Sequence, residues 1–459
     1  MTQLSTRSIF ANRTLNLRSI KAIGYDLDYT LVHYNTEQWE RRAFTHAVES
    51  LEKRGWPVGE LFFDPDQVIQ GLTIDLELGN LLKVTRFGYV IRAAHGTRLF
   101  EFNELRRTYA GTVVDLAEER FMFINTLFSL SEATLFAQLV DLADEGRIPE
   151  VVGYEDLYQI MRRALDEAHM EGTLKEEILA DPERFVEPDP DVVTTLQDQR
   201  TAGKQLMLIT NSEWDYAKRI LEFAVDPHMP DGQTWKSLFD VVIVAAEKPA
   251  FFSGDHRLYR VTDEATGLLQ PHVGKIEPGS VFYGGCARRV EDSLGLSGDE
   301  ILYVGDHLFG DVHASKAMLR WRTALVLREL EPEVEALMGF AADEKRLLGL
   351  MAQKEELEQQ LADLRLARHG DGSASEEFES VRSAISDLDE QIVPLAVAAG
   401  ELSNSRWGLM MRSGLDKSLF ARQMERYADV YTSRVSNLGK ATPYAMFRAF
   451  RSVLPHDPI

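Results

Sequence analysis

The amino-acid sequence predicts an α/β fold in which a doubly wound parallel β-sheet is covered by helices. Two observations predict it: five short runs are apolar without interruption, and four of them lead into polar residues suited to phosphate chemistry. Uninterrupted apolar character is typical of strands buried on both faces, as in a parallel sheet between helices. Because ligands bind beyond the carboxyl ends of such strands, the four polar ends should converge on one crevice.

The five apolar runs give the order of the predicted strands along the chain. They cover residues 22–25, 206–209, 241–244, 301–304 and 323–327. The first four lead, in this order, to Asp26, Thr210, Lys248 and the pair Gly305-Asp306. The fifth run has no ending of this kind.

The long distances between these runs predict additional domains. Segment 35–189 is far too long for one crossover helix, so we expect a large, mainly helical cap domain there, inserted into a split core formed by 1–34 and 190–340. Residues 155–171 have the periodicity of an amphipathic helix. Glycine and proline interrupt residues 251–280, which predicts an inserted loop or hairpin.

The C-terminal third predicts a helical extension. Within 341–400, apolar residues recur every three or four positions on both sides of a break at 370–373, so we expect a hairpin of two antiparallel helices. This hairpin could pack on its own domain, or it could form a contact between subunits. The second interpretation predicts a homo-oligomer, a dimer or a tetramer. We expect 401–459 to form a helical segment that packs on the core.

Composition and charge exclude several classes of protein. Acidic residues number 73 against 50 basic ones, a net charge of −23, so the chain repels nucleic-acid phosphates and we expect no nucleic-acid partner. The single cysteine, Cys286, excludes a disulfide framework and a multi-cysteine zinc site. Residues 1–18 lack the pattern of a secretory signal, and no stretch approaches the ~20 apolar residues of a membrane helix. We therefore expect a soluble cytoplasmic protein without a membrane partner.

The sequence Asp26-Leu27-Asp28-Tyr29-Thr30 carries the sharpest chemical signal. Where a strand leaves the sheet, alternate residues can direct two carboxylates toward one site. One carboxylate can attack phosphorus while the other exchanges a proton with the leaving oxygen, and the aspartyl-phosphate is then hydrolysed by water. The motif alone would also suit a solvated turn or a calcium-like loop. The buried strand before it and the three further polar strand ends favour catalysis.

Two further strand ends offer groups that bind phosphate. Thr210, Asn211 and Ser212 provide hydroxyl and backbone N–H groups, and the same residue types favour a helix N-cap, which is itself an anion site. A fixed ammonium at Lys248 would offset negative charge on the phosphoryl oxygens and the nucleophile. An isolated lysine is usually a solvated surface charge, and only its place after an apolar run favours the functional interpretation.

The fourth strand end supplies two more carboxylates, Asp306 and Asp311. Hard oxygen ligands of this kind suit Mg²⁺, which keeps several waters and bridges to a substrate phosphate. Without a cation, several carboxylates and a phosphate would repel one another strongly. His307 lies between the two aspartates, but no cysteine or second histidine stands at ligand spacing, so we reject a zinc site.

The predicted cap contains candidate residues for substrate recognition. Arg162, Asp166 and His169 are spaced four and three apart, which places them on one helical face. The simpler interpretation is an Arg–Asp surface pair, which contributes little to stability. In the functional interpretation they hydrogen-bond a nucleobase or ribose, with Phe128 stacked on the base. Aromatic residues in apolar helices more often belong to the core, so the residues alone leave both interpretations open.

Together these motifs resemble the haloacid dehalogenase superfamily and, more closely, its cytosolic purine 5′-nucleotidase family, known in eukaryotes as the IMP–GMP-specific enzyme. The resemblance is carried, in chain order, by Asn12-Arg13, 24–31, Asn125-Thr126-Leu127-Phe128, Glu247-Lys248-Pro249, Phe251-Phe252, Tyr283-Gly284-Gly285, 302–311, Phe420-Ala421, Arg426-Tyr427-Ala428-Asp429 and Leu454-Pro455-His456. These segments span nearly the whole chain in the order the family has them. The resemblance implies a Rossmann-like core with a cap inserted after the first motif.

The resemblance also implies roles for the matched positions of the core. Asp26 would be the nucleophile and a metal ligand, and Asp28 would be the general acid/base that offers Mg²⁺ its backbone carbonyl. Thr210 and Lys248 would hold phosphate. Asp306 would complete the metal site, and Asp311 would lie close by.

In the cap, the resemblance implies that Phe128, Arg162, Asp166 and His169 recognise the purine. Ser129 departs from the family, where an asparagine would follow that phenylalanine, and this difference bears on the base preference and not on the reaction type. The predicted substrate is a nucleoside monophosphate, IMP or GMP first, and the predicted cofactor is Mg²⁺. The resemblance also allows transfer of the phosphoryl group from the covalent intermediate to another nucleoside, although no residue here demands it.

Two alternative functions remain compatible with the sequence. In the first, the same chemistry acts on another small phosphate monoester. In the second, the chain is a non-catalytic nucleotide-binding or scaffold protein that uses its helical C-terminus. The complete set of Asp26, Asp28, Thr210, Lys248 and Asp306 argues against the second, because a degenerated enzyme commonly loses its nucleophile.

Overall fold

The computed structural model describes residues 5–148, 151–170, 173–367 and 376–450. Its strands in chain order are β1 (Ile9–Ala11), β2 (Leu15–Asn16), β3 (Ala22–Tyr25), β4 (His33–Tyr34), β5 (Thr73–Asp75), β6 (Asn80–Val84), β7 (Val90–His95), β8 (Arg98–Leu99), β9 (Phe121–Phe123), β10 (Val186–Glu187), β11 (Gln205–Ile209), β12 (Val241–Val244), β13 (Leu258–Asp263), β14 (Leu268–Pro271), β15 (Ser280–Gly284), β16 (Ile301–Gly305), β17 (Arg322–Val326), β18 (Arg412–Ser413), β19 (Asp416–Lys417), β20 (Val430–Thr432) and β21 (Met446–Phe447). The α-helices are α1 (Thr36–Lys53), α2 (Phe102–Tyr109), α3 (Leu130–Asp144), α4 (Tyr154–Met170), α5 (Thr173–Ala180), α6 (Pro182–Phe185), α7 (Asp191–Thr201), α8 (Trp214–Ala224), α9 (Ala250–Ser253), α10 (Ala287–Leu294), α11 (Ala314–Leu319), α12 (Leu330–Ala367), α13 (Glu376–Gly400) and α14 (Leu419–Tyr427).

The core is a ten-stranded sheet with the order β1-β20-β17-β16-β3-β11-β12-β15-β13-β14. Neighbouring strands from β20 to β15 are parallel, whereas β1 at one edge and the hairpin β13–β14 at the other pair in antiparallel fashion. The five apolar runs correspond to β3, β11, β12, β16 and β17, which are contiguous in the sheet. The predicted parallel α/β core is confirmed, and the hairpin β13–β14 lies within the predicted 251–280 insertion.

Both faces of the central strands are buried, which explains why their sequences do not alternate. Ile23 and Tyr25 of β3 join Leu208 in one apolar cluster. Ala22 joins Met207 in another. Because successive side chains of a strand point to opposite faces, each strand contributes to both clusters and every position favours an apolar residue.

The segment between β4 and β10 forms the cap. Helices α1, α3 and α4 pack their buried residues around a separate apolar cluster that includes Phe44, Phe136 and Met161. An antiparallel sheet of order β8-β7-β6-β5-β9 completes the cap. Helices predominate, as predicted, but the sequence analysis did not predict this sheet. Its strands are two to six residues long, which is too short for a clear periodic signal.

The strands β4 and β10 are the two connections between core and cap. The first carries the chain out of the core into α1, and the second returns it toward α7. The two strands pair antiparallel, with His33 opposite Glu187 and Tyr34 opposite Val186. The two chain connections between core and cap therefore form one pair of strands, here called the hinge strands.

Helices α12 and α13 form the predicted antiparallel hairpin, with Lys354 Nζ 2.5 Å from Asp389 Oδ1. The hairpin begins earlier than the predicted boundary at 341, because α12 starts at Leu330. The predicted turn at 370–373 lies outside the described residues. Within the described ranges, no helix combines the length and the apolar character that a membrane crossing requires.

The C-terminal segment differs from the helical segment predicted for 401–459. Among its described residues, α14 is the one α-helix, and β20 continues the core sheet beside β17. The stretch before α14 packs on the cap, where Trp407 Nε1 donates to the carbonyl of Gln67 (2.8 Å). This segment therefore fastens cap and core together. Its short elements carry too little periodicity to be predicted from sequence.

Candidate active site

Four neighbouring strands bring the predicted core residues to one edge of the sheet. The strands β16, β3, β11 and β12 run parallel, so their carboxyl ends open on the same crevice. The backbone N–H of Asp26 donates to Val304 O (2.9 Å), and that of Thr210 donates to Ile243 O (3.0 Å). Hydrogen bonds to neighbouring strands thus hold the first residue after β3 and the first residue after β11 in place.

The side chain of Lys248 lies in the middle of this crevice. Its Nζ lies 2.8 Å from Oδ1 of Asp26, 2.7 Å from Oδ1 of Asp311 and 3.0 Å from the hydroxyl of Tyr303. Tyr303 donates its own proton to the carbonyl of Ile209 (2.8 Å), so it accepts from the ammonium. Burial alone would lower the pKa of Lys248, but Asp26 and Asp311 raise it well above its ordinary value. The lysine therefore remains charged.

Asp26, Asp306 and Asp311 form a carboxylate cluster in which one oxygen of each residue lies within 4.8 Å of the others. Burial raises the pKa of Asp26 to about 7, with Lys248 lowering it and Asp311 raising it. Burial, followed by the charges of Asp26 and Asp311, raises the pKa of Asp306 well above its usual range. Full ionisation of this cluster requires more positive charge than Lys248 supplies. Three carboxylate oxygens at this spacing are a donor set that suits Mg²⁺.

Gly305 allows the carboxylate of Asp311 to approach the end of β16. A Cβ atom at Gly305 would lie 2.5 Å from Oδ2 of Asp311, far inside van der Waals contact. The same Oδ2 accepts from the backbone N–H of His307 (3.2 Å), and His307 Nδ1 accepts from the backbone N–H of Gly310 (2.8 Å). Burial lowers the pKa of His307, which favours the neutral ring. His307 therefore caps the π-helical turn Leu308–His313.

Asp28 belongs to the same loop, but separate partners hold its carboxylate. Oδ1 accepts from the hydroxyl of Tyr34 (2.5 Å), and Oδ2 accepts from the hydroxyl of Ser212 (2.5 Å). The hydroxyl oxygens of Tyr34 and Tyr216 lie 2.9 Å apart. Burial and the charge of Asp28 raise the pKa of Tyr34 well above its ordinary value, so its hydroxyl remains a donor. Both carboxylate oxygens of Asp28 are thus hydrogen-bonded.

The residues after β11 connect this strand end to the loop of Lys248 and to the cap. Asn211 Nδ2 donates to the carbonyl of Lys248 (3.0 Å), and Asn211 Oδ1 accepts from the backbone N–H of the same lysine (2.6 Å). Thr210 Oγ1 accepts from the backbone N–H of Ser212 (3.0 Å). Lys175 Nζ, on cap helix α5, donates to Ser212 Oγ (2.9 Å). A cap lysine therefore reaches the strand ends of the core.

The predicted cap residues form a network of their own. Arg162 Nε and Asp166 Oδ1 lie 3.2 Å apart, which is the ion pair that their spacing predicts. Arg162 Nη1 also donates to the buried Glu132 (2.6 Å), whose other oxygen accepts from Tyr158. Among the described residues, no hydrogen bond or ion pair joins Arg162 or Asp166 to Lys248 or to the carboxylate cluster.

The remaining cap candidates lie in the 3-10 turn Leu127–Ser129 and in α4. Ser129 precedes α3, and its backbone N–H donates to the carbonyl of Thr126 (3.2 Å). The side chains of Phe128 and His169 lie outside the described part of the structure. Recognition of a purine by these residues therefore stays a prediction.

Sequence reasoning missed Tyr34, Tyr303 and Lys175. Tyr303 lies within an apolar run, where an aromatic residue is read as core, although its hydroxyl needs a partner once buried. That requirement is the signal that could have identified it. Tyr34 follows the first motif closely, but nothing in the sequence shows that its hydroxyl turns back to Asp28, and Lys175 stands apart from all the motifs.

Comparison with known proteins gives a family match and distant structural similarities. A model of the 5′-nucleotidase family matches residues 9–459. The chain is 27% identical over 470 residues to a 5′-nucleotidase domain-containing protein of Dictyostelium discoideum, which covers 99% of this chain and 75% of that relative. The family expected from the motifs is confirmed by the match to the family model.

Two solved structures are also similar over 67% of this chain. One is a predicted phosphoglycolate phosphatase from Haemophilus somnus, with 15% identity, a TM-score of 0.30 and 85% of that chain covered. The other is a haloacid dehalogenase-like family hydrolase from Xanthomonas campestris, with 13% identity, a TM-score of 0.27 and 83% of that chain covered. Similarities at these TM-scores support no further statement about this chain.

Proposed function

The chain belongs to the 5′-nucleotidase family and is a phosphate monoester hydrolase, and we propose that it converts purine nucleoside 5′-monophosphates, IMP and GMP first, into nucleoside and phosphate. The single observation that carries the chemistry is the contact of Lys248 with both Asp26 and Asp311 inside a crevice formed by four strand ends. The partner is then a small-molecule nucleoside monophosphate.

The proposed reaction has two balanced steps. A carboxylate oxygen of Asp26 attacks phosphorus, the bond from phosphorus to the 5′-oxygen breaks, and Asp28 gives that oxygen a proton, so the nucleoside leaves. Asp28 then takes a proton from water, whose oxygen attacks the aspartyl-phosphate and releases inorganic phosphate, regenerating Asp26. A nucleoside hydroxyl in place of that water would give phosphotransferase activity.

We propose Mg²⁺ as the cofactor. The carboxylate cluster of Asp26, Asp306 and Asp311, together with the backbone carbonyl of Asp28, would hold the ion. The raised pKa values of Asp26 and Asp306 support this, because buried carboxylates that resist ionisation gain most from an added cation. When bound, Mg²⁺ would neutralise charge between these carboxylates and the substrate phosphate.

Groups around the crevice would bind the phosphate. Lys248 offers a charged Nζ held at a fixed position, and Thr210 and Ser212 offer hydroxyl and backbone N–H groups. Lys175 adds a second positive charge from the cap side. Asn211 would act indirectly, since both ends of its amide are bonded to the backbone of Lys248.

The proposal also includes recognition of the purine by the cap. The residues proposed for it are Phe128, Ser129, Arg162, Asp166 and His169. Arg162 supports it in one respect: its contact with the buried Glu132 fixes a guanidinium that is still 45% exposed. A fixed and accessible guanidinium can hydrogen-bond the edge of a base.

A panel assay tests the proposal. Phosphate release would be measured on IMP, GMP, other nucleotides and sugar phosphates, with Mg²⁺ and with a chelator. We expect purine nucleotides to have the highest kcat/KM and the chelator to abolish turnover. Preference for a sugar phosphate would replace the proposed substrate by another small monoester. Activity that survives the chelator would contradict the metal, and inactivity on every substrate would favour a non-catalytic role.

The expected oligomer and location remain proposals. A homo-oligomer, a dimer or a tetramer, would elute at a multiple of the 52.0 kDa chain in size-exclusion chromatography with light scattering. We also propose a cytoplasmic location, which fractionation of the source cells would test.

A further inference from the structure

We propose that Tyr34, supported by Tyr216, is a positioning residue that orients Asp28 for proton transfer to the leaving group. The proposal rests on the hydrolase chemistry proposed above and adds a part that neither the motifs nor the family match assigns. It places the residue that orients the acid on the hinge strand between core and cap.

When Asp28 is ionised its oxygens can only accept, so the direction of the hydrogen bonds follows from counting protons. A tyrosine hydroxyl carries one proton, and Tyr34 uses it on Oδ1 of Asp28 at 2.5 Å. The hydroxyl of Tyr216, 2.9 Å from that of Tyr34, must then donate to Tyr34. The result is a directed chain from Tyr216 through Tyr34 to Asp28. Each donor in such a chain polarises and strengthens the next bond.

Packing holds this chain in one geometry. The side chains of Tyr34 and Tyr216 are buried, at 2% and 4% exposure. The ring of Tyr34 lies 4.6 Å from that of Trp39 on cap helix α1 and 5.2 Å from that of Tyr29 in the catalytic loop. A buried ring between two aromatic neighbours has little rotational freedom, so its hydroxyl can fix the plane of the carboxylate.

The other oxygen of Asp28 is held independently. Ser212 donates to Oδ2 at 2.5 Å, and Lys175 donates in turn to Ser212. The carboxylate is therefore held from both sides, by the hinge through Tyr34 and by the core through Ser212. Loss of one holder should leave the other in place and increase the rotation of Asp28. A small rotation of the acid should lower the rate of proton transfer strongly and should change the affinity for substrate little.

The hinge position gives the contact a functional consequence. Tyr34 is the last residue of β4, whose partner β10 brings the chain back from the cap. Since the ring packs against Trp39 of the cap and the hydroxyl bonds to Asp28 of the core, the orientation of the acid depends on a residue that contacts both domains.

The test is the leaving-group dependence of Tyr34→Phe. The substrates are IMP, phenyl phosphate and p-nitrophenyl phosphate, whose leaving groups need protonation to a decreasing extent. We expect kcat/KM, which reports only the steps up to loss of the leaving group, to fall roughly tenfold on IMP, less on phenyl phosphate and under about twofold on p-nitrophenyl phosphate. Tyr216→Phe should show the same order with smaller losses, and it serves as the test if Tyr34→Phe does not fold.

The matched control is Tyr25→Phe. This change removes another buried hydroxyl, which donates to Gln199 and not to Asp28, so it should alter no substrate selectively. Equal losses on all three substrates, or no loss on any, would overturn the proposal. If wild-type protein hydrolyses the aryl phosphates but neither IMP nor GMP, the purine proposal fails. The comparison of phenyl with p-nitrophenyl phosphate then still decides the role of Tyr34.

Discussion

Nζ of Lys248 lies 2.8 Å from Oδ1 of Asp26, and both side chains are almost completely buried. The same ammonium contacts Asp311, so a single positive charge faces the three carboxylates of the carboxylate cluster. An ion pair in this setting is strongly coupled: removing one partner leaves uncompensated charge away from water. The lysine therefore holds the carboxylate cluster together, and we propose that it also acts in catalysis.

Replacing Lys248 by methionine should destabilise the protein and inactivate it. We expect a loss of about 3–5 kcal/mol in the free energy of unfolding at neutral pH, because Asp26 and Asp311 stay buried without their cation. We expect kcat to fall at least about a hundredfold. Chemical denaturation measures the free energy of unfolding, and steady-state kinetics measures kcat. The control is Lys354→Met, which removes the ion pair between the partly exposed Lys354 and Asp389 on the hairpin. It should change neither the stability nor the activity.

Replacing Gly305 by alanine should disturb the carboxylate cluster and should change the stability of the rest of the protein little. The Cβ of Gly305→Ala would lie 2.5 Å from Oδ2 of Asp311, so that carboxylate has to move. We expect the Mg²⁺ concentration for half-maximal activity to rise about tenfold or more. The control is Gly349→Ala on α12, where nothing lies near the added carbon. That change should leave activity intact, and an unchanged Mg²⁺ requirement in Gly305→Ala would refute the packing argument.

Glu40 should make the stability of the protein depend on pH. This cap residue is buried, Oε2 accepts from the backbone N–H of Ser131 (2.7 Å), and burial raises its pKa from 4.5 to about 8. A carboxyl whose pKa is higher in the folded state takes up a proton on folding, so its contribution falls as pH rises from about 4.5 to 8. Glu40→Gln removes that titration. We expect it to be nearly neutral at pH 5 and stabilising at pH 9.

Chemical denaturation of wild type and Glu40→Gln between pH 5 and 9 checks this prediction. The control is Glu37→Gln on the same helix, an exposed residue paired with Arg41, whose effect should hardly vary over that range. A constant difference between wild type and Glu40→Gln would mean that Glu40 does not titrate in this interval.

Arg162→Ala and Asp166→Ala should weaken purine nucleotides selectively. If these residues contact the base or ribose, kcat/KM should fall about tenfold or more on IMP and little on p-nitrophenyl phosphate, which has neither group. The control Arg41→Ala breaks a comparable exposed i,i+4 pair in the cap. Equal losses on both substrates would leave the network around Glu132 with a structural role only.

The sequence predicted the core and the grouping of its candidate site residues because both depend on local patterns. The apolar runs before Asp26, Thr210, Lys248 and Asp306 are short, uninterrupted and followed by distinctive residues. Parallel pairing of the strands then places their carboxyl ends side by side. Neighbouring strand ends meet wherever such a sheet forms. The positions of these four residues therefore needed no tertiary information beyond the fold class.

Contacts between distant segments could not be predicted in this way. Tyr34 and Asp28 are close in sequence, but their bond depends on how β4 turns toward the cap, and Lys175 reaches Ser212 through the packing of α5 beside α8. The cap sheet and β20 have strands too short for a periodic signal. Such features are decided by tertiary packing, which overrides local preference.

Trapping the proposed covalent intermediate on Asp26 tests the proposed reaction most directly. Protein with Mg²⁺ would be mixed with ³²P-labelled IMP, quenched in acid within one turnover and digested, and the labelled peptide would be sequenced by mass spectrometry. We predict label on the peptide that contains Asp26, sensitive to hydroxylamine, absent with chelator and absent in Asp26→Asn, whose kcat should fall on the order of 10⁴-fold while its fold stays intact. Rapid turnover of IMP with no label on that peptide, or an active Asp26→Asn variant, would contradict it.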